Sequence, residues 1–127
     1  MSEIARELLS LARHGDGGTV PLNGLPLPST GFYVGGRIPS LIMSVDDVES
    51  RGQHVATLQS VINFVSRAGT PYVGVWRDNE SDKIYFDAVE WYANEYTACA
   101  VARVRKELAV WDIDHGRELR LAYVEGE

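Results

Sequence analysis

Residues 71–92 read PYVGVWRDNESDKIYFDAVEWY. Two apolar runs, Tyr72–Trp76 and Ile84–Tyr92, flank the polar stretch Arg77–Lys83. Aromatic and β-branched residues dominate both runs, and Asp78, Asn79, Ser81 and Asp82 supply turn chemistry between them. That pattern predicts a β-hairpin with a long tip. In the second run both faces are largely apolar: Ile84, Phe86, Ala88 and Tyr92 on one, Tyr85, Val89 and Trp91 on the other. A strand covered on both faces is usually central in its sheet. The hairpin is therefore expected to carry the sheet, with helices packed on it.

Upstream of the hairpin, Asp46–Ala68 has helical periodicity through Val48, Val55, Leu58, Ile62 and Val65. Asp46 and Glu49 stand at capping-box spacing, Gly69 supplies a stop, and Gly52 weakens the first turns. Downstream, Asn94–Leu108 reads as a second helix with Asn94 as N-cap. Its expected buried stripe is Thr97, Ala100, Val101, Val104 and Leu108. Ala109–Ile113 and Glu118–Val124 read as a closing strand pair around Asp114-His115-Gly116, with Leu119, Leu121 and Tyr123 on one face.

Before the long helix, Phe32–Val34 and Ile38–Val45 are strand candidates. Gly35-Gly36 between them fits either a tight hairpin or one strand with a bulge. Ser2–Arg13 forms a further amphipathic helix, ended by Gly15 and the glycines after it. Residues 15–31 hold much of the glycine and proline, yet Val20, Leu22, Leu25 and Leu27 are too apolar for a solvated linker. This stretch is expected to be an ordered loop on the core, with Thr19–Leu22 extended.

The chain thus reads as one domain, 1–127: an N-terminal helix at 1–14, an ordered glycine/proline loop at 15–31 and an α+β core at 32–127. The fold class is α+β, a mainly antiparallel sheet with two or three packed helices. Its β-α-β-β-α-β order admits a ferredoxin-like core with an extra C-terminal strand.

Composition narrows the function. A formal net charge of −6 among 127 residues and a pI near 5.0 argue against a protein held on nucleic acid by phosphate contacts. A single cysteine, Cys99, excludes an internal disulfide framework and a multi-cysteine zinc site. The first residues carry Glu3 and Glu7 and lack the apolar core of a signal peptide, and no run is long enough to span a bilayer. The expected location is the cytoplasm, or the host cytoplasm for a phage-encoded protein.

Three stretches resemble a known group of proteins. Residues 17–36, GGTVPLNGLPLPSTGFYVGG, carry a glycine pair, a short Thr-Val strand, a Gly-x-Pro turn and Gly-aromatic-x-Val. Residues 72–92 match its central hairpin, and residues 98–121, ACAVARVRKELAVWDIDHGRELRL, its helix and following strand pair. The resemblance is to small proteins of unknown function encoded by actinobacteria and their phages. It implies a cytoplasmic accessory protein, phage- or mobile-element-encoded, and brings no activity and no catalytic residues.

Asp87, inside the central strand, is the one candidate for catalysis. A buried carboxylate must be paired or hydrogen-bonded. The plainer reading is a structural carboxylate bonded to backbone or to an arginine; the functional one is a general base. Glu90 cannot join it, because residues three apart on a strand point to opposite faces. Asp112, Asp114 and His115 have metal-ligand chemistry but also ordinary turn composition, so no metal is assigned. Asp78, Glu80 and Asp82 lack the Gly and Glu of a calcium loop. Ser40, like Ser29 and Ser60, has no nucleophile-elbow context. No cofactor fingerprint is present. Phe32-Tyr33-Val34-Gly35-Gly36 with Tyr85 and Phe86 has some likeness to an RNA-binding sheet, without its basic residues.

Three tryptophans and six tyrosines must each find a core, a pocket or an interface. Trp91, with Tyr92 and Tyr96, is the candidate binding surface. The expected function is non-enzymatic protein–protein binding to a host or phage partner. The alternatives are a small enzyme using Asp87 as general base and an RNA-binding sheet. A homodimer through the last strand is a further expectation.

Overall fold

The computed structural model describes residues 2–122 apart from 15, 16, 23, 25, 51 and 53. The expected helix stop at Gly15, Leu25 of the loop, and Tyr123 and Val124 of the last strand lie outside the described residues. Strand β5, Lys83–Tyr92, is the axis of the sheet. Strand β4, Tyr72–Asp78, pairs along it from Tyr72↔Val89 to Asp78↔Lys83, forming the expected hairpin. At its tip the Asp78 carboxylate accepts from the Glu80 amide at 3.1 Å and the Ser81 hydroxyl at 2.8 Å. These are the local bonds that make Asp and Ser turn residues.

The other edge of β5 is shared by two strands. Strand β3, Leu41–Ser44, pairs with its first half, and β2, Phe32–Val34, with its second half. Both are antiparallel to β5, so they run the same way along one edge. Neither the tight hairpin nor the single bulged strand expected around Gly35-Gly36 is formed: residues 35–40 separate β2 from β3, and the two strands follow one another along the same edge. Strand β6, Ala109–Asp112, pairs with β2, and β7, Arg117–Arg120, pairs with β6. Strand β1, Gly18–Pro21, lies outside β4, as the extended reading of Thr19–Leu22 requires.

The sheet order is β1-β4-β5-β2-β6-β7, with β3 also on β5, and all pairs are antiparallel. Helix α3, His54–Ala68, joins β3 to β4; helix α4, Glu95–Val104, joins β5 to β6. Each crossover links two parallel strands with one antiparallel strand between them. That is the split β-α-β arrangement of a ferredoxin-like core. Its first strand is broken into β2 and β3, and β1 and β7 extend its two edges.

The helices cover one face. Helix α1, Ser2–His14, buries Ala5, Leu8, Leu9 and Ala12 against Val61, Phe64 and Val65 of α3 and against Val73, Val75, Ile84, Phe86 and Ala88 of the hairpin. A smaller cluster joins Ala98 and Ala102 of α4 to Val34 and Val110. Full burial of one large apolar side chain such as Phe86 stabilises the fold by about 1.5–3 kcal/mol.

Three expectations are corrected. First, Asp46–Ala68 is not one helix. A short α2, Val45–Glu49, precedes α3, and the chain turns extended at Ser50. The N-cap is Ser44, whose hydroxyl accepts from the Asp47 amide at 3.1 Å, not Asp46. The break leaves Val55 exposed instead of in the buried stripe. Second, α4 has its expected cap, Asn94 accepting from the Thr97 amide at 2.8 Å, but is rotated from the expected stripe. It buries Ala98 and Ala102, while Val104 and Leu108 are exposed. Close approach to Val34 and Val110 favours the small alanines. Third, β5 is covered on one face only. No helix among the described residues is long and apolar enough to cross a membrane.

Candidate functional site

Strand alternation fixes what the uncovered face presents. Along β5, Ile84, Phe86 and Ala88 point to the helices, so Tyr85, Asp87 and Val89 point away. Register then adds Trp76 opposite Tyr85 and Gly74 opposite Asp87 from β4. Tyr33 of β2 pairs with Trp91, and Trp111 of β6 pairs with Tyr33. These residues line an open groove of about 820 Å³ that runs from Gly18 and Thr19 to Glu118 and Arg120. Trp91 shares the face but lies beyond the lining. Leu27 and Pro28 of the loop, with Leu108, contribute further apolar lining. Gly74 leaves no side chain over the middle of the face.

Asp87 lies in this groove, held by two donors. Its Oδ1 accepts a short hydrogen bond from the Ser40 hydroxyl, and its Oδ2 accepts from the Trp76 indole N–H at 3.0 Å. The expected backbone or arginine partner is therefore replaced by a serine and a tryptophan. The Trp76 indole stacks on Tyr85, with centroids 4.3 Å apart and planes 7° from parallel. Trp76 is nevertheless 48% exposed. Stacking on one side and a hydrogen bond at its edge hold this half-exposed indole in one orientation at the surface. Tyr33 and Tyr72 make a second ring contact at 5.5 Å.

A second carboxylate approaches from the segment after α4. Glu107 lies over Gly35 and Gly36: a Cβ built on Gly35 would stand 3.3 Å from Glu107 Oε1 and 3.7 Å from Asp87 Cβ. On Gly36, which has φ +85°, it would stand 2.7 Å from Glu107 Cδ. The glycine pair thus makes room for the glutamate. Burial first, and then the charge of Asp87, raise the Glu107 pKa above the ordinary carboxylate value, against the opposing Arg105. Arg105 donates to the Gly35 carbonyl at 3.1 Å and pairs closely with Glu90, which also meets Arg37 at 3.3 Å. Glu90 therefore works on the other face, as alternation requires. Tyr33 is also raised, by burial and then by Tyr72.

No family model matches this chain, no curated protein matches it, and no solved structure matches it.

The remaining sequence candidates disperse. Trp91 is 38% exposed, and its indole N–H donates to the Thr30 carbonyl at 2.8 Å. Tyr92, the next residue, turns to the helix side and packs with Phe32 near α4. Tyr96 is strongly exposed on α4. Alternation alone puts Trp91 and Tyr92 on opposite faces. Asp112 is buried, with Oδ2 2.8 Å from His115 Nδ1 and 3.5 Å from Arg117 Nε, while Asp114 is exposed. Burial pushes the Asp112 pKa up, but the bonds from His115, its charge and Arg117 outweigh this and hold it low.

The sequence does not mark Trp76, Ser40, Glu107 or Trp111 as site residues, and Tyr33 enters only through the likeness to an RNA-binding sheet. Strand parity relative to Asp87 is a signal that reaches Trp76, once the hairpin register is set. Nothing local marks Ser40 or Glu107, because the sheet brings them to Asp87 from 47 residues before it and 20 after it.

Proposed function

We propose that this is a non-enzymatic binding protein, acting in the cytoplasm through protein–protein contact, and phage- or mobile-element-encoded as the resemblance implies. Its working surface in this reading is the open sheet face around Trp76. One observation carries the proposal: Trp76 is half-exposed yet held by both the Asp87 carboxylate and the Tyr85 ring. A large aromatic kept ordered at the surface is the usual anchor of an interface.

The test is capture from host lysate by immobilised protein, compared with its Trp76→Ala and Tyr96→Ala variants. Partners that disappear with Trp76→Ala and remain with Tyr96→Ala support the open face. The reverse pattern moves the contact to α4. Partners indifferent to both changes overturn the proposal. Sedimentation of the same samples addresses the homodimer: a one-chain mass at all concentrations removes it.

The small enzyme using Asp87 as general base is the second reading, favoured by the neighbouring Glu107 within the groove. Both Asp87 oxygens already accept hydrogen bonds, which favours a positioning carboxylate over a base. The RNA-binding reading has the aromatic sheet face behind it. Asp87, Glu107 and Glu118 in the groove, with a net charge of −6, oppose phosphate.

A further inference from the structure

Helix α4 carries an apolar ridge on its outer side. Tyr96 and Val104 are 86% and 84% exposed, more than any other large apolar side chain among the described residues. Ala100, also exposed, stands midway between them, so the three recur at four-residue spacing. Residues at that spacing form one ridge on a helix surface. Ala98 and Ala102 hold the opposite side of the helix against Val34 and Val110, which turns the ridge away from the sheet.

A row of charge runs beside the ridge. Glu95, Cys99 and Arg103 are again four residues apart, with the acid in the first turn and the base in the last. Glu95 and Arg103 are exposed, and neither is in an ion pair among the described residues. The ridge has an apolar group at each end of Ala100, and the row has opposite charges at the two ends of Cys99. A second α4 laid antiparallel on the first therefore matches it. Tyr96 meets the copy's Val104, Glu95 meets the copy's Arg103, and each contact occurs twice. Such self-complementarity is the mark of a two-fold interface. The small Ala100 at the crossing lets the helices approach, and the antiparallel dipoles set each N-terminus beside a C-terminus. The edge of β7 is less suited to a second copy. Full antiparallel pairing of Arg117–Arg120 with itself would put Arg117 opposite Arg120, and like charges directly opposite are destabilising.

We infer that the protein forms a two-fold homodimer through α4, with Tyr96, Ala100 and Val104 at its centre and Glu95–Arg103 pairs on its flanks. This goes beyond the open-face reading and does not rest on it, since α4 covers the opposite side of the sheet. A ten-residue helix is about 15 Å long and covers less than the roughly 800 Å² per partner of a standard interface. The dimer is accordingly weak, with Kd on the order of 100 µM.

The experiment is equilibrium sedimentation of the full chain from about 10 µM to about 1 mM. The mass is expected to rise from one chain toward two. Tyr96→Glu should raise Kd about tenfold or more. Glu95→Arg and Arg103→Glu, each of which brings like charges together, should weaken the dimer several-fold. The double swap, Glu95→Arg with Arg103→Glu, should restore association, although both changes oppose the helix dipole. A role confined to helix stability would make the double variant the weakest. Trp76→Ala should leave association unchanged. In the unaltered chain Cys99 is partly exposed and stands beside the two-fold. A bismaleimide whose reach matches the roughly 8–10 Å between packed helix axes should therefore link two chains. A one-chain mass at about 1 mM overturns the inference. So does a dimer that the bismaleimide does not trap, a dimer that Tyr96→Glu leaves intact, or a double swap no better than the single changes. The mass series and the cross-link use the unaltered protein, so they decide the matter even if a variant fails to fold. The open face is tested separately, by Trp76-dependent capture.

Discussion

The indole N–H of Trp76 and the carboxylate of Asp87 are joined at 3.0 Å across the central hairpin. The bond is diagonal: Trp76 is directly opposite Tyr85, and Asp87 is opposite Gly74. Because Gly74 has no side chain, the indole edge reaches the carboxylate unobstructed. Asp87→Ala removes the acceptor for both Trp76 and Ser40 and is expected to cost about 1–3 kcal/mol. Asp87→Asn keeps an acceptor for the indole and a donor for Ser40, so it should cost less than half as much. Denaturant unfolding measures both, and Trp76 fluorescence anisotropy should fall only in the alanine variant. Unchanged anisotropy there would mean that the carboxylate does not hold the ring.

Phe86 tests the assignment of the central strand. It is fully buried, among Ile84, Val73, Val75 and the α1 and α3 side chains. Phe86→Ala should cost about 3–5 kcal/mol. A melting temperature within a few degrees of the parent would contradict a core position.

Much of this fold is legible in the sequence because the hairpin's alternation is local and strong. Alternation says which residues of β5 share a face, but not whether anything covers it. Tyr85, Val89 and Trp91 are apolar enough to suggest a second covering layer; instead Tyr85 and Val89 line an open groove, and Trp91 lies on the same face beyond it. Helix α4 misleads for a different reason. Val104 and Leu108 look like core residues by hydrophobicity, yet the helix approaches the sheet closely enough that Ala98 and Ala102 fill the contact. At the start of α2, Ser44 and Asp46 are both capping residues, and the local sequence does not rank them. Ser40 and Glu107 are invisible as partners of Asp87 until the broken strand β2/β3 and the end of α4 are placed.

Gly31 provides a test of the Trp91 setting. Its φ is +95°, and a Cβ there would stand 2.5 Å from Trp91 Nε1 and 2.8 Å from the Tyr92 carbonyl oxygen. Both the backbone and the space therefore require glycine. Gly31→Ala should destabilise by about 1–3 kcal/mol and break the Trp91–Thr30 bond, read as a shift of the Trp91 indole resonance. Trp76, held by separate partners, should keep its resonance.

The two perturbed carboxylates make opposite contributions to the pH dependence of stability. Glu107 has a folded pKa raised above its ordinary value of 4.5, by burial and by Asp87, with Arg105 opposing. The folded state binds its proton more tightly than the unfolded chain does. Its contribution is therefore complete below the unfolded pKa and is lost as pH rises through the raised folded value. Asp112 is the reverse. Its folded pKa lies below the ordinary 3.8, because the bonds from His115 and Arg117 outweigh burial. Its contribution is present above 3.8 and is lost as pH falls through the lowered folded value. Urea unfolding from about pH 3 to about pH 8 separates them. Glu107→Gln should be more stable than the parent at neutral pH, with the gain vanishing in acid. Asp112→Asn should be less stable at neutral pH, with its deficit shrinking only as pH falls below the ordinary carboxylate range. If Glu107→Gln shows no gain at neutral pH, the Glu107 charge is not a burden on the fold.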